Sequence, residues 1–359
     1  HGLSVGDIVQ LDSVTLPGGT GFTNAQFEDK NFQVISVPTT GTFTINQASN
    51  ATGTVSTGGS LSIKPYEPVG PRAQTYGYGW GVNSYGNGGW GQAAAASTVS
   101  LEPGLWSLDN FGEVLIATVA NGKTFTWNGG AASPLGNRSS TTTTNFQTNN
   151  NPTSSRMTLI SPTTRHLIHL ATETAIGDST TQDDMFIRFS DQENINSYTP
   201  TATNTAGTQR LADGSRIVGA VRGRDAIYVW TDTSLFTMRF IGPPFTFGFA
   251  QVGTNCGLIG QNAALEVDGA AYWLSDNGFF KYSGNLETMT CLVEDYVFDD
   301  INTIPSQLIN VGLNNLFGEI TWFYCTSGNT FINRSVTYNY MESTPQRPIW
   351  TTGSLARTT

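Results

Sequence analysis

Short apolar runs separated by turn residues recur along the chain, and in its second part they come in pairs. Val114-Leu115-Ile116-Ala117 is followed by Phe125-Thr126-Trp127 across Asn121-Gly122, a dipeptide suited to the positive φ values of a tight hairpin. The runs 166–170 and 185–189, 227–230 and 235–238, 271–274 and 279–282, and 320–324 and 335–338 repeat the arrangement. Each is rich in Val, Ile, Phe, Tyr and Trp and bounded by Gly, Asn, Asp or Ser, which reads as strand and hairpin. The centres recur about every 44–57 residues, close to the length of one β-propeller blade. Two copies align without a gap, Tyr228-Val-Trp-Thr-Asp232 with Tyr272-Trp-Leu-Ser-Asp276. A blade cannot bury both faces alone, so the aromatic residues are expected between stacked blades. Five units are visible over 105–359, the fifth running into the end of the chain. Closing the ring is expected to need residues outside this chain or a partner.

The first 64 residues follow another pattern. Runs at 8–11, 31–35, 42–45 and 60–63 predict about five short strands in a small β-barrel or sandwich. Residues 65–104 read as a Gly/Tyr/Trp-rich linker of aromatic–glycine repeats, with Tyr76, Tyr78, Trp80, Tyr85 and Trp90 among glycines. Glycine frees the backbone and the rings supply contact area, so these five residues are candidates for inter-domain or subunit packing. A carbohydrate-stacking platform is the alternative. Residues 131–156, rich in Ser, Thr and Asn, read as an exposed loop. The chain starts at His1 rather than Met and stops just after a strand-like stretch near Trp350, so both ends are expected to be cut from something longer.

Composition sharpens the all-β expectation. Charged residues are only 12% of the 359, and 40 glycines and 15 prolines work against long helices. Aromatic residues at 11% argue against disorder. The formal net charge of −10 weighs against a protein that grips nucleic-acid phosphates. Cys256, Cys291 and Cys325 have no CxxC partner and are odd in number, which predicts buried free thiols rather than a disulfide framework or zinc ribbon. No apolar run approaches a membrane span, and no signal peptide is visible.

Candidate chemistry is sparse. His166 and His169 would face opposite sides of a strand, which does not make a metal pair. No GxSxG, HExxH or phosphate-loop motif occurs. Glu294, Asp295, Asp299 and Asp300 could be a calcium or glycosidase pair, against the plainer reading of a solvated surface or a capped turn. Arg210, Arg216, Arg222, Arg224 and Arg239 could clamp a carboxylate as in sialidase propellers, or could form ion pairs between blades or subunits. Neither cluster predicts catalysis, and no cofactor or metal is expected.

Six segments carry a more specific signal: 105–113 (LWSLDNFGE), 188–194 (RFSDQEN), 230–233 (WTDT), 241–249 (IGPPFTFGF), 252–260 (VGTNCGLIG) and 293–301 (VEDYVFDDI). In order and wording this series resembles structural tail proteins of bacteriophages, in particular the tail nozzle (tail tubular protein B-like) family of short-tailed phages. The resemblance covers about 105–350. The pattern His1-Gly2-Leu3-Ser4-Val5-Gly6-Asp7, then Phe32-Gln33-Val34 and Thr42-Phe43-Thr44-Ile45, is similar to a small β module of phage tail and fibre proteins. The resemblance implies a propeller-containing virion structural protein at the distal tail. It would be assembled as a homo-oligomer ring, usually a hexamer, beside tail adaptor and tail fibre proteins. The ring would hold the genome and let the DNA pass at ejection. A host-surface receptor is a further partner implied. No catalytic residues carry over. An acidic channel wall would let DNA slide rather than stick. A receptor- or glycan-binding tail protein is the runner-up, and a glycosidase-type propeller the third reading.

Overall fold

The computed structural model describes residues 3, 8–39, 41–56, 58–66, 73–76, 97–100, 104–128, 137–138, 151–329 and 331–357. The N-terminal module is one antiparallel sheet. Strands β1 (Ile8–Thr15), β2 (Lys30–Thr39), β3 (Thr42–Ile45) and β4 (Ser60–Tyr66) lie in the order β3-β2-β1-β4. Strict alternation puts Val9 and Leu11 of β1 and Phe32 and Val34 of β2 on one buried face, where they meet Phe27. Where β1 bulges, both carboxylate oxygens of Glu28 accept backbone N–H groups, from Ser13 at 2.8 Å and Val14 at 2.7 Å. Strands β5 (Ala73–Tyr76) and β6 (Ser97–Ser100) form a two-stranded antiparallel ribbon. Tyr78, Trp80, Tyr85 and Trp90 lie outside the described residues, as does the side chain of Tyr76.

The remainder is five four-stranded antiparallel sheets, each paired in chain order. Blade 1 holds β7 (Trp106–Phe111), β8 (Val114–Val119), β9 (Thr124–Asn128) and β10 (Asn137–Arg138). Blade 2 holds β11 (Ser155–Ile160), β12 (Leu167–Thr172), β13 (Phe186–Phe189) and β14 (Gly207–Arg210). Blade 3 holds β15 (Ile217–Arg222), β16 (Ile227–Thr231), β17 (Ser234–Gly242) and β18 (Thr246–Thr254). Blade 4 holds β19 (Ala264–Val267), β20 (Ala270–Ser275), β21 (Gly278–Tyr282) and β22 (Leu286–Thr288). Blade 5 holds β23 (Asn310–Asn314), β24 (Glu319–Tyr324), β25 (Ile332–Asn339) and β26 (Trp350–Arg357). The five hairpins expected from sequence are the two middle strands of each blade, paired through Ile116↔Thr126, Ile168↔Phe189, Val229↔Phe236, Trp273↔Phe280 and Trp322↔Val336. Blade 5 has all four strands within the described residues. The gapless repeat is β16 against β20, each closed by a two-residue turn after Thr231 or Ser275.

Two kinds of seam join the blades. Between blades 3, 4 and 5 the seam is aromatic: Trp230 and Trp273 have ring centroids 5.3 Å apart, and Phe279 and Trp322 5.0 Å. Two indoles are tied to backbone in the preceding blade or connection, Trp273 Nε1 to the Cys256 carbonyl at 2.8 Å and Trp322 Nε1 to the Ala263 carbonyl at 3.0 Å. Between blades 1 and 2 the seam sets hydroxyls beside an apolar cluster of Ile116 with Ile160, Leu167 and Tyr198. Thr118 bonds to Thr158 at 2.7 Å and to Thr124 at 2.8 Å, and Ser107 Oγ accepts the Thr158 N–H. This corrects one expectation. Residues 151–156 end the Ser/Thr/Asn-rich stretch, yet Asn151, Ser154 and Ser155 are buried and β11 begins at Ser155. Ser154 Oγ meets Gln182, and Ser155 Oγ meets His169 and Thr172, so these hydroxyls serve hydrogen bonds within blade 2 rather than solvent. Residues 131–136 and 139–150 of that stretch lie outside the described residues.

The segment 252–260 runs from β18 toward β19 and is threaded against neighbouring backbone. A Cβ on Gly257 would lie 2.0 Å from the Asp232 carbonyl oxygen, and one on Gly260 2.2 Å from the Ser306 carbonyl oxygen. Gly312, in β23, has only ordinary contact, 3.5 Å to the Phe323 ring. Gly257→Ala is therefore expected to cost about 3 kcal/mol or more through backbone displacement, and Gly312→Ala well under about 1 kcal/mol. Urea unfolding of the two variants checks this contrast; equal losses would show that the close approach at Gly257 is not a constraint.

Candidate functional site

The starts of the five first strands converge. Leu105 precedes β7, Arg156 opens β11, Arg216 and Val218 flank the start of β15, Ile259, Gly260 and Gln261 precede β19, and Ser306 and Gln307 precede β23; all line one small cavity, with Ala120. This cavity marks the propeller axis. It offers about 30 Å³, room for one small group. Past blade 2, Arg222 at the end of β15 reaches Asp109 of β7, Nη1 to Oδ1 at 3.0 Å, and Asp109 Oδ2 accepts the Ile160 N–H of β11 at 2.7 Å. One carboxylate thus ties blades 1, 2 and 3.

The five arginines picked out in the sequence do not converge. Arg222 bridges blades, Arg210 pairs with Asp183 of its own blade at 2.7 Å, and only Arg216 reaches the axis. Its companion there is Arg156, which sequence reasoning missed because it sits in a Ser/Thr/Asn-rich stretch. The acidic run is largely a solvated surface: Glu294, Asp295 and Asp299 are exposed, and no side chain caps the helix they begin. Glu294 and Asp295 occupy the first turn of the helix α1 (Glu294–Phe298), where the exposed N–H groups favour negative charge, and Asp300 offers its carbonyl to the Ser327 N–H. Among the described residues one group of three acids has oxygens within 4.8 Å, Asp12, Glu28 and Asp29 in the N-terminal module. Glu28 there already holds the Ser13 and Val14 amides, which marks a turn-stabilising role.

The two histidines face opposite sides of blade 2, as the three-residue offset predicts. His166 packs toward blade 3 against Phe189, Phe240 and Phe247; His169 packs against Tyr198, whose neighbours are Ile116 and Ile160. His169 Nδ1 lies 2.7 Å from Ser155 Oγ and Nε2 3.0 Å from the Tyr198 hydroxyl. The Ser–His–Tyr chain has the connectivity of an activated nucleophile, yet all three residues are 0% exposed. Buried there, it ties β11, β12 and the β13–β14 connection together within blade 2. Around His166 the hydrogens can be assigned. Thr205 donates to Asp191 at 2.7 Å, so its oxygen accepts His166 Nε2–H at 3.0 Å, leaving Nδ1 to accept from Thr164 at 2.8 Å. Burial lowers both histidines, His166 to about 4 against a smaller opposing pull from Asp191, and His169 to about 3 with Arg188 adding to the effect. Burial likewise pushes the Cys291 thiol up to about 11, and all three cysteines are buried and free.

No family model and no curated protein matches the chain. Among solved structures, the AfRom2 CNH domain is 11% identical, covering 68% of this chain and 71% of that one at a TM-score of 0.39. BamB from Moraxella catarrhalis is 12% identical, covering 74% and 79% at 0.32. A quinonprotein alcohol dehydrogenase-like protein from Bacteroides thetaiotaomicron is 10% identical, covering 97% and 66% at 0.36. At TM-scores below 0.5 these likenesses carry no argument about this chain.

The buried histidines give the protein a pH dependence of definite sign. Both are held neutral in the fold, so the unfolded chain binds the extra protons. Their contribution is intact above the unfolded pKa of 6.5 and falls with pH toward about 4 for His166 and about 3 for His169. Each should remove about 1.4 kcal/mol per pH unit across its window. Unfolding free energies in urea at pH 7, 6 and 5 are expected to decline for the natural chain and to be nearly flat for a His166→Gln, His169→Gln double variant. An equally steep decline in the variant would place the proton uptake elsewhere.

Proposed function

We propose that this chain is a structural subunit of a bacteriophage tail, a nozzle subunit that stands beside copies of itself around the distal DNA channel. The observation that carries this reading is the outer face of blade 1. Register places Trp106, Leu108, Leu115, Ala117, Val119 and Phe125 on one side of that sheet, away from the hydroxyl seam with blade 2. None of the four apolar clusters among the described residues joins blade 5 to blade 1. Leu108 remains 64% and Trp106 38% exposed. Apolar faces of this kind mark association surfaces, and the occupant proposed is a second copy of the chain.

Three further features support it. The segments that resemble the nozzle family fall where the fold needs them: β7, the end of β13, the β16–β17 turn, the β17–β18 hairpin, the glycine-threaded connection and α1. They build blades rather than display chemistry. Among the described residues the cavity at the starts of the first strands offers about 30 Å³, so in this reading the DNA channel runs between copies and not through a propeller. The excess of 27 acidic over 17 basic residues suits a wall past which phosphates slide. In this reading the genome is retained and released by the ring, and the adaptor and fibre proteins of the tail are its neighbours.

Leu108→Asp tests the face. Because Leu108 is exposed, the unfolding free energy should change by no more than about 0.5 kcal/mol. Assembly, followed by light scattering on the full chain, should drop sharply. Symmetry-resolved electron microscopy of the source particle should then find a ring of copies at the distal tail. Copies off the tail axis that bind a host glycan would replace this reading with a receptor-binding one.

A further inference from the structure

We infer that one end of the propeller seats on a lipid bilayer through apolar tips on blades 3 and 5. The first strands of all five blades start at the cavity, and strands within a blade alternate in direction. The turns that join first to second and third to fourth strands therefore lie at the opposite end. Two of them are apolar at the apex. The β17–β18 turn presents Ile241 and Phe245, and the β23–β24 turn presents Leu316 and Phe317 beside Met341 of the β25–β26 connection. Phe245 is 74% and Leu316 82% exposed, a level that marks an interaction surface. The inference does not depend on the tail reading of the chain.

Each tip is held at its neck and bare at its apex. β16 pairs with β17 only as far as Met238, so 239–242 run on beyond that ladder with β18, an overhang of about 13 Å. At the neck Thr246 is buried and its Oγ1 donates to the Thr205 carbonyl at 2.9 Å, while Phe247 packs on Phe189. In blade 5 the Tyr340 N–H donates to the Gly318 carbonyl at 2.7 Å and Asn339 Nδ2 to that of Phe317 at 3.1 Å, which fixes Met341 against the turn.

Three features favour lipid over a protein as the occupant. The tips are convex and stand on either side of blade 4, whose turns at Asp268-Gly269 and 283–285 are polar. A protein would need two separate matching pockets, whereas one bilayer surface receives both tips. Pro243 and Pro244 form the apex between Ile241 and Phe245 and carry no N–H, so two donors that hydrocarbon would leave unpaired are missing. No charged residue lies between Arg239 and Glu266. With a net charge of −10, attraction to anionic headgroups is not the driving force, so the insertion is apolar.

Phosphatidylcholine vesicles are the probe, mixed with the full chain and floated on a density gradient. The natural chain should float with them equally in about 0.1 M and about 1 M NaCl, because no charge attraction is there to be screened. Phe245→Asp and Leu316→Asp should each weaken binding about tenfold or more, and together abolish it. Both side chains are exposed, so the urea midpoints should not move. Leu292→Asp alters a comparably exposed leucine in the β22–β23 connection, at the cavity end, and should bind as the natural chain does. Should the Asp variants unfold, Phe245→Ser with Leu316→Ser decides: retained binding overturns the proposal. A natural chain that does not float, binding lost in high salt, or equal weakening by Leu292→Asp overturns it too. So does a Phe245→Asp chain that loses assembly while the natural chain ignores vesicles, since the tips are then subunit contacts.

Discussion

A propeller blade is stable only when both faces of its sheet are covered, and every other feature of this chain answers to that constraint. Across blades 3 to 5 it is met by aromatic rings. Trp230 and Trp273, then Phe279 and Trp322, interdigitate between sheets, and their seams merge into one apolar cluster. Rings of this size must approach closely, so the connections around them must be thin. That is why glycines stand at 257 and 260, where backbone passes against backbone. The indole N–H groups of Trp273 and Trp322 are paid back by connection carbonyls, whereas that of Trp230 finds no acceptor among the described residues.

Blades 1 and 2 meet the same constraint by another means. Their seam sets a row of hydroxyls beside a small apolar cluster around Ile116, with Asp109 fixed by a backbone amide and by Arg222. Such a seam contributes less per unit area than an apolar one and depends on every polar group finding a partner. The side of blade 1 facing blade 2 carries Ser107 and Thr118 together with Val114 and Ile116, and the other side carries Trp106 and Leu108.

The chemistry-bearing groups divide by depth. The histidines and Ser155 lie inside blade packing, where their hydrogen bonds hold blade 2 together and no substrate reaches them. The acidic run 294–300 supports a helix turn and a loop. Arg156 and Arg216 line the cavity to which all five blades contribute. A propeller scaffold serves binding, catalysis and assembly alike, so the division of labour among these groups, rather than the fold, is what speaks for function.

Much of the architecture was legible locally. Alternating β-branched and aromatic runs, tight turns such as Asn121-Gly122 and the repeat of Tyr228–Asp232 in Tyr272–Asp276 determined the strands, the five middle hairpins and the blade period, because strand patterning and turn geometry are short-range properties. The opposite facing of His166 and His169 was equally local. What the sequence could not determine were relations between residues far apart in the chain. Arg156 and Arg216 are neighbours at the axis only because five sheets stack in a circle. Asp109 and Arg222, separated by 113 positions, meet for the same reason. Ser155 looked like loop because a polar residue reads as solvated unless its partner is known, and that partner, His169, lies on the next strand. Local pattern sets which residues form a strand; only tertiary packing decides whether a polar side chain meets water, another blade or a ligand.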